Sequence, residues 1–255
     1  MPASYAHYRF GKLLLPSLPA DARQCVQRFR RMYDMGLQGP DFFFYYNPFM
    51  STATGELGKV FHRQTGQEFF TAACKTAGSE AARAYLYGLL GHYCLDSVCH
   101  PFVNRLVEIG EARHVPLESE LDRFLLLLDG EPLPHLFDTG RFMKLTRGEC
   151  MTVAEFYPPA TGAKVGRSIR LMALFIRLLA HPNRPLQEKI LKRIGPGLLD
   201  YRIPEESSAE LAPYVSELND LFAQALERCP GMLRELTAHM QTGGELGEDF
   251  FPNFG

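Results

Sequence analysis

The sequence predicts an all-α protein, a single multi-helix domain over residues 1–255. Three observations carry this. Apolar side chains recur at helical rather than alternating spacing through most of the chain. Gly and Pro punctuate these segments. The only strand-like run, the aromatics Phe42, Phe43, Phe44, Tyr45 and Tyr46, has no partner run to pair with and reads as a loop.

Residues 6–15 and 22–35 read as the first two helices, parted by Pro16 and Pro19. Gly36, Gly39 and Pro40 open a loop that continues through the aromatic run at 42–48. Helical character resumes over 58–70. The clearest helix covers 80–100, with Ser79 as its N-cap. Pro101 suits the first turn of a following helix, 101–112. Pro116 lies near the start of another, which runs to 128 and stops at Asp129-Gly130. The stretch 131–162, rich in Pro, Gly and Thr, reads as an irregular excursion within the same domain. Residues 165–180 form an amphipathic helix ended by Pro182, a core helix with a basic edge at Arg170 and Arg177. The last helices are 208–228 and 230–241. The tail 249–255 carries Phe250, Phe251 and Phe254 and is expected to pack onto the body.

Composition narrows the function. The chain is 46% hydrophobic and 22% charged, ordinary for a protein with a real core. Its net charge of −2 gives no polycationic signal for nucleic acid or an anionic membrane. The longest apolar runs, such as 124–128, are too short to span a bilayer. The N-terminus lacks the basic leader and apolar stretch of a signal peptide, so the expected location is cytoplasmic. The six cysteines include no C-x-x-C pair and read as reduced, partly buried thiols.

His92, Asp96 and His100 stand at i, i+4 and i+8, and so share one helix face. Imidazole and carboxylate are ligand types that zinc prefers. Asp96, set between two histidines, has two oxygens with which to bridge two ions. Read alone, the triplet also fits a core histidine, a buried acceptor and a helix-terminal His. His114 and Glu118 repeat the i, i+4 pairing on the next helix and shift the reading to metal.

With these residues in place, the chain resembles the zinc-dependent phospholipases C, which share their fold with the fungal single-strand nucleases of the S1/P1 type. The resemblance runs from His7 to Arg123. It is closest to a cytoplasmic bacterial branch that starts Met-Pro-x-x-x-x-His. The family's ordered ligands, His, Asp, His, His-x-x-x-Asp, His and His-x-x-x-Glu, fall here on His7, Asp41, His62, His92-Asp96, His100 and His114-Glu118. The resemblance implies two or three zinc ions. Asp41, His62, His92 and Asp96 would hold one, His7 and Asp96 a second, and His100, His114 and Glu118 a third. It also implies hydrolysis of a phosphate ester, of phospholipid or related small-phosphoester type, by a metal-bridged hydroxide, with Asp41 and Asp96 as catalytic carboxylates. A bridged pair of divalent ions lowers the pKa of a shared water enough for this at neutral pH.

The chain departs from the secreted relatives at two points. It has no Trp to chelate one ion through its amine and carbonyl; Pro2, exposed by loss of Met1, is the candidate substitute. Asp96 and His100 are also closer in sequence than their counterparts, so a differently shaped third site is expected. Two other readings stay open: a helical interaction module in which zinc only ties helices together, and a nuclease or nucleotidase of the same fold. Manganese or iron could also occupy such ligands. His135, His181 and His239 fit no part of the string and read as structural. Tyr45, Tyr46 and Asn47 read equally well as pocket lining and as packing.

Overall fold

Burial decides the centre of the molecule. In the computed structural model, which describes residues 4–47 and 52–255, every side chain from Ala84 to Ser97 is buried. These residues belong to α6 (Glu80–Glu108), started by Ser79, whose side chain accepts from the Ala82 N–H. A helix apolar all round must be covered on every side. Here α1 (Ser4–Leu14), α2 (Ala20–Arg28), α3 (Arg30–Gly36), α5 (Gly66–Thr76), α7 (His114–Leu128), α8 (Arg147–Glu155) and α11 (Ala212–Thr242) all pack against it. The remaining helices, α4 (Ala53–Arg63), α9 (Gly162–Leu179) and α10 (Arg184–Ile194), complete the shell. Among the described residues there is no strand, only an isolated antiparallel bridge between Thr65 and Asn253.

The all-α prediction holds, but several boundaries move. The helix expected over 22–35 is two helices, because Phe29 leaves helical geometry at φ −118°, ψ 44°. The one expected over 58–70 is also two. Thr65 turns the chain and caps α5 in a reciprocal box with Glu68, a T-x-x-E signal present in the sequence. Pro101 does not start a helix; it lies inside α6. Proline removes one backbone hydrogen bond at a cost of about 3 kcal/mol, which burial of the surrounding faces outweighs. Pro230 is carried inside α11 in the same way. The stretch 131–162 contains α8, started by a second capping box, Thr146 with Glu149. α10 and a 3-10 turn, Pro196–Tyr201, occupy ground that the sequence left unassigned.

Other expectations stand. The segment 42–47 is no strand: Asp41–Tyr45 is a 3-10 turn, and Pro48 lies outside the described residues. α9 is a core helix, burying Val165, Ile169, Met172 and Ile176 while Arg170 and Arg177 face outward. Phe250 and Phe254 of the tail are fully buried. All six cysteines are free thiols. Among the described residues no helix is long and apolar enough to cross a membrane.

Candidate metal centre

Eight side chains from five elements converge beside α6. His7 comes from α1, Asp41 from the 3-10 turn after α3, and His62 from the last turn of α4. His92, Asp96 and His100 come from α6, and His114 and Glu118 from the first turns of α7. Seven of them are buried; only His114, with about a third of its side chain exposed, reaches solvent.

Their polar atoms form three groups able to hold an ion: His7, Asp41 and His92; His62, His92 and Asp96; His100, His114 and Glu118. Within each group the ligating atoms lie within 4.8 Å of one another. The third group is the set that the resemblance implies, so one-turn spacing between Asp96 and His100 still delivers His100 to it. The other two share His92. Asp41 stands between them, 2.9 Å from His62 Nε2 and grouped with His7. Asp96 links everything: its Oδ1 lies 3.3 Å from His7 Nε2 and 3.7 Å from His100 Nε2, and its Oδ2 lies 3.1 Å from His92 Nε2. Pro2, the candidate substitute for the missing Trp, lies outside the described residues.

Three histidines are oriented by backbone carbonyls. His62 Nδ1 lies 2.7 Å from Gly58 O, His92 Nδ1 3.3 Å from Leu37 O, and His100 Nδ1 2.9 Å from Phe254 O. A carbonyl only accepts, so Nδ1 carries a proton and Nε2 faces the cluster as the nitrogen that would bind an ion, an arrangement usual for metal-binding histidines. The carbonyl of Leu37 can sit under His92 because the loop continues through Gly39. Gly39 has φ +51°, and a Cβ there would fall 2.2 Å from the His92 ring.

The donors fit a metal better than they fit each other. His92 Nε2 and Asp96 Oδ2, and likewise His62 Nε2 and Asp41 Oδ1, are close, yet none of these four atoms has a hydrogen-bond partner. Glu118 Oε2 and His7 Nδ1 are also buried without one. Each orphaned buried polar atom costs about 1–3 kcal/mol, so a chain that concentrates them in one place needs something to satisfy them.

The electrostatics agree. Burial alone would raise the carboxylates, but the surrounding histidines overrule it and hold Asp96 below the usual carboxylate range and Glu118 down to about 2. The carboxylates are thus ionised and ready to bind a cation. Among the histidines, burial lowers His92, and the charge of His7 adds to this. Asp96 overcomes burial at His7 and, with Glu118, lifts His100 to about 9.

One supporting residue escaped the sequence reading. Asp122 is buried one turn beyond Glu118, and its carboxylate accepts from the Tyr5 N–H at 3.1 Å and the Ala6 N–H at 2.8 Å. These are unsatisfied donors of the first turn of α1, so α7 caps α1 from a distance and seats His7. The signal was present: His114, Glu118 and Asp122 repeat the i, i+4, i+8 pattern of His92, Asp96 and His100. Tyr45 and Tyr201 also meet beside the cluster, lining with Ser4, Asp122 and His135 a cavity of about 30 Å³, room for little more than water. His181 Nδ1 accepts from the Asn183 N–H and His239 pairs with Gly244 O, both away from the cluster.

Compared with known proteins, residues 6–156 match a family model described as zinc dependent phospholipase C. The match spans more than half of the chain and includes all eight clustered residues. Neither a curated protein nor a solved structure matches the chain.

Proposed function

Because the chain belongs to the zinc-dependent phospholipase C family of phosphoesterase hydrolases, we propose that it holds two or three zinc ions on His7, Asp41, His62, His92, Asp96, His100, His114 and Glu118, and hydrolyses a phospholipid-type phosphodiester or a related small phosphoester. The observation that supports this most directly is the convergence of orphaned, buried Nε2 and carboxylate atoms on one face of α6. Zinc bound there supplies a Lewis acid for phosphate oxygens and a water that ionises at neutral pH.

The chain's own groups do the rest. Asp96 is the shared carboxylate that fixes the spacing of the groups. Asp41, held ionised beside His62, takes the proton of the attacking water at Oδ1, which is free of hydrogen bonds. His62, His92 and His100 keep their lone pairs aimed inward through their carbonyl partners. His114, the solvent-facing member, marks the side from which a phosphate approaches. Residues 157–255 belong to the same domain in this reading, since α11 packs on α6 and the tail reaches His100.

The test is zinc per chain by mass spectrometry, for the native protein, His92→Ala and Glu118→Ala, with turnover of phosphatidylcholine vesicles and of bis-p-nitrophenyl phosphate. The expected result is two to three ions in the native chain, fewer in each variant, and zinc-dependent release of product. Less than one ion per chain after zinc resupply, unchanged by either substitution, would overturn the reading. Full zinc with no turnover of either probe would favour a metal-stabilised helical module instead.

A further inference from the structure

The tail 249–255 lies outside the segment that matches the family, yet it touches both ends of the cluster. It is laid down by a series of specific contacts. The Tyr93 hydroxyl reaches the carbonyls of Asp249 at 3.1 Å and Pro252 at 2.9 Å. Asp249 pairs with Arg228, and the Gly66 N–H donates to Pro252 O. Asn253 bridges to Thr65, and the Phe254 N–H donates to the carbonyl of His62. The Phe254 ring is fully buried against Tyr93 and Phe69, with His62 and His92 at its edge. One residue thus gives its N–H to the backbone of His62 and its carbonyl to the ring of His100.

Gly255 completes the contact. Its φ is +130°, and a Cβ on it would fall 1.6 Å from His100 Nδ1. Any side chain there must push away either the imidazole or the tail.

We propose that residues 249–255 act as a clamp that positions His100. The carbonyl of Phe254 fixes the ring in its Nδ1–H tautomer, and the bare Cα of Gly255 leaves that ring room to face Glu118 and His114. The proposal rests on the metal reading above and extends it: a carbonyl 154 positions away decides whether the outer group can take its ion. Phe254 and Gly255 are positioning residues, acting only through His100.

Two measurements test it. Nitrogen-15 spectra of the native protein, with His100 assigned by comparison with His100→Gln, should show Nδ1 protonated and, with zinc, Nε2 as the liganding nitrogen. A ring protonated on Nε2 with Nδ1 bare would overturn the clamp. Zinc titration should show that Gly255→Ala and a deletion of residues 254–255 weaken one ion by about 10- to 100-fold, the range for partners behind a ligand, with the other zinc unchanged. Phe254→Leu keeps the carbonyl and should lower the melting temperature while leaving zinc binding intact. Native zinc binding in Gly255→Ala and in the deletion would overturn the proposal. If the native chain binds no zinc, the metal reading fails, and the tautomer of the ion-free chain, read above pH 9 where the His100 ring is neutral, still decides the clamp.

Discussion

The two ends of the cluster are built differently. The inner part, His7, Asp41, His62, His92 and Asp96, is buried, and two of its rings are oriented by carbonyls close at hand, Gly58 O one turn before His62 and Leu37 O from the end of α3. The outer part, His100, His114 and Glu118, has one ring open to solvent, and His100 takes its orientation from the far end of the chain. The contrast shows two ways of preorganising a site. The inner rings are oriented by carbonyls of the helices that carry or pack against them, and the outer ring by a carbonyl of the tail.

The largest effect that would sharpen this comparison is expected from Asp96→Ala. Asp96 faces His7, His92 and His100, so its removal should strip zinc from both parts and lower turnover by more than about a hundredfold. Metal analysis alongside rates checks it. An outer ion retained at full affinity would mean that the two parts are independent.

A smaller and more selective effect is expected from Asp122→Asn. One amide oxygen would replace two carboxylate oxygens that receive separate N–H groups, leaving a buried donor unsatisfied at a cost of about 1–3 kcal/mol. The melting temperature should fall, and zinc should weaken about tenfold at the inner part, where His7 sits, while the outer ion stays. Loss of the outer ion instead would reverse the assignment of this tether.

The mildest effect is the pH dependence of stability in the zinc-stripped chain. Glu118 is depressed from an ordinary value near 4.5 to about 2, so its contribution is present above 4.5 and is lost as pH falls toward 2. His100 is raised from near 6.5 to about 9, so its contribution is present below 6.5 and is lost as pH rises through 9. His7 is raised as well, while His92 is lowered and works the other way. The stripped protein should therefore melt highest at mildly acidic pH and lose stability on both sides. Zinc should flatten the alkaline fall, because bound histidines are already deprotonated. Melting curves across pH, with chelator and with zinc, test this; a stripped protein that gains stability steadily from pH 6 to pH 9 would contradict it.

The eight clustered residues were legible in the sequence because most come in local patterns. Helical geometry alone puts i and i+4 side chains on one face, so His92, Asp96, His100, His114 and Glu118 could be paired without knowing the fold. His7, Asp41 and His62 stand alone, and only their order in the family's string identified them. The helices themselves followed from apolar periodicity and caps, and the all-α class with them. The two capping boxes at Thr65 and Thr146 were equally readable and mark where boundaries were misplaced.

Tertiary structure decided the rest. Pro101 and Pro230 read as breakers because propensity is local, whereas the burial that keeps α6 and α11 continuous comes from neighbours distant in sequence. The partners of the histidine rings are backbone carbonyls, which every residue has, so no residue type announces them. Asp122 meets Tyr5 and Ala6, and Phe254 meets His100, across more than a hundred positions. The sequence by itself determined which side chains are available to hold a metal. Only the folded chain decided which way His92 and His100 face, because their rings are oriented by hydrogen bonds to backbone carbonyls that meet them only after folding.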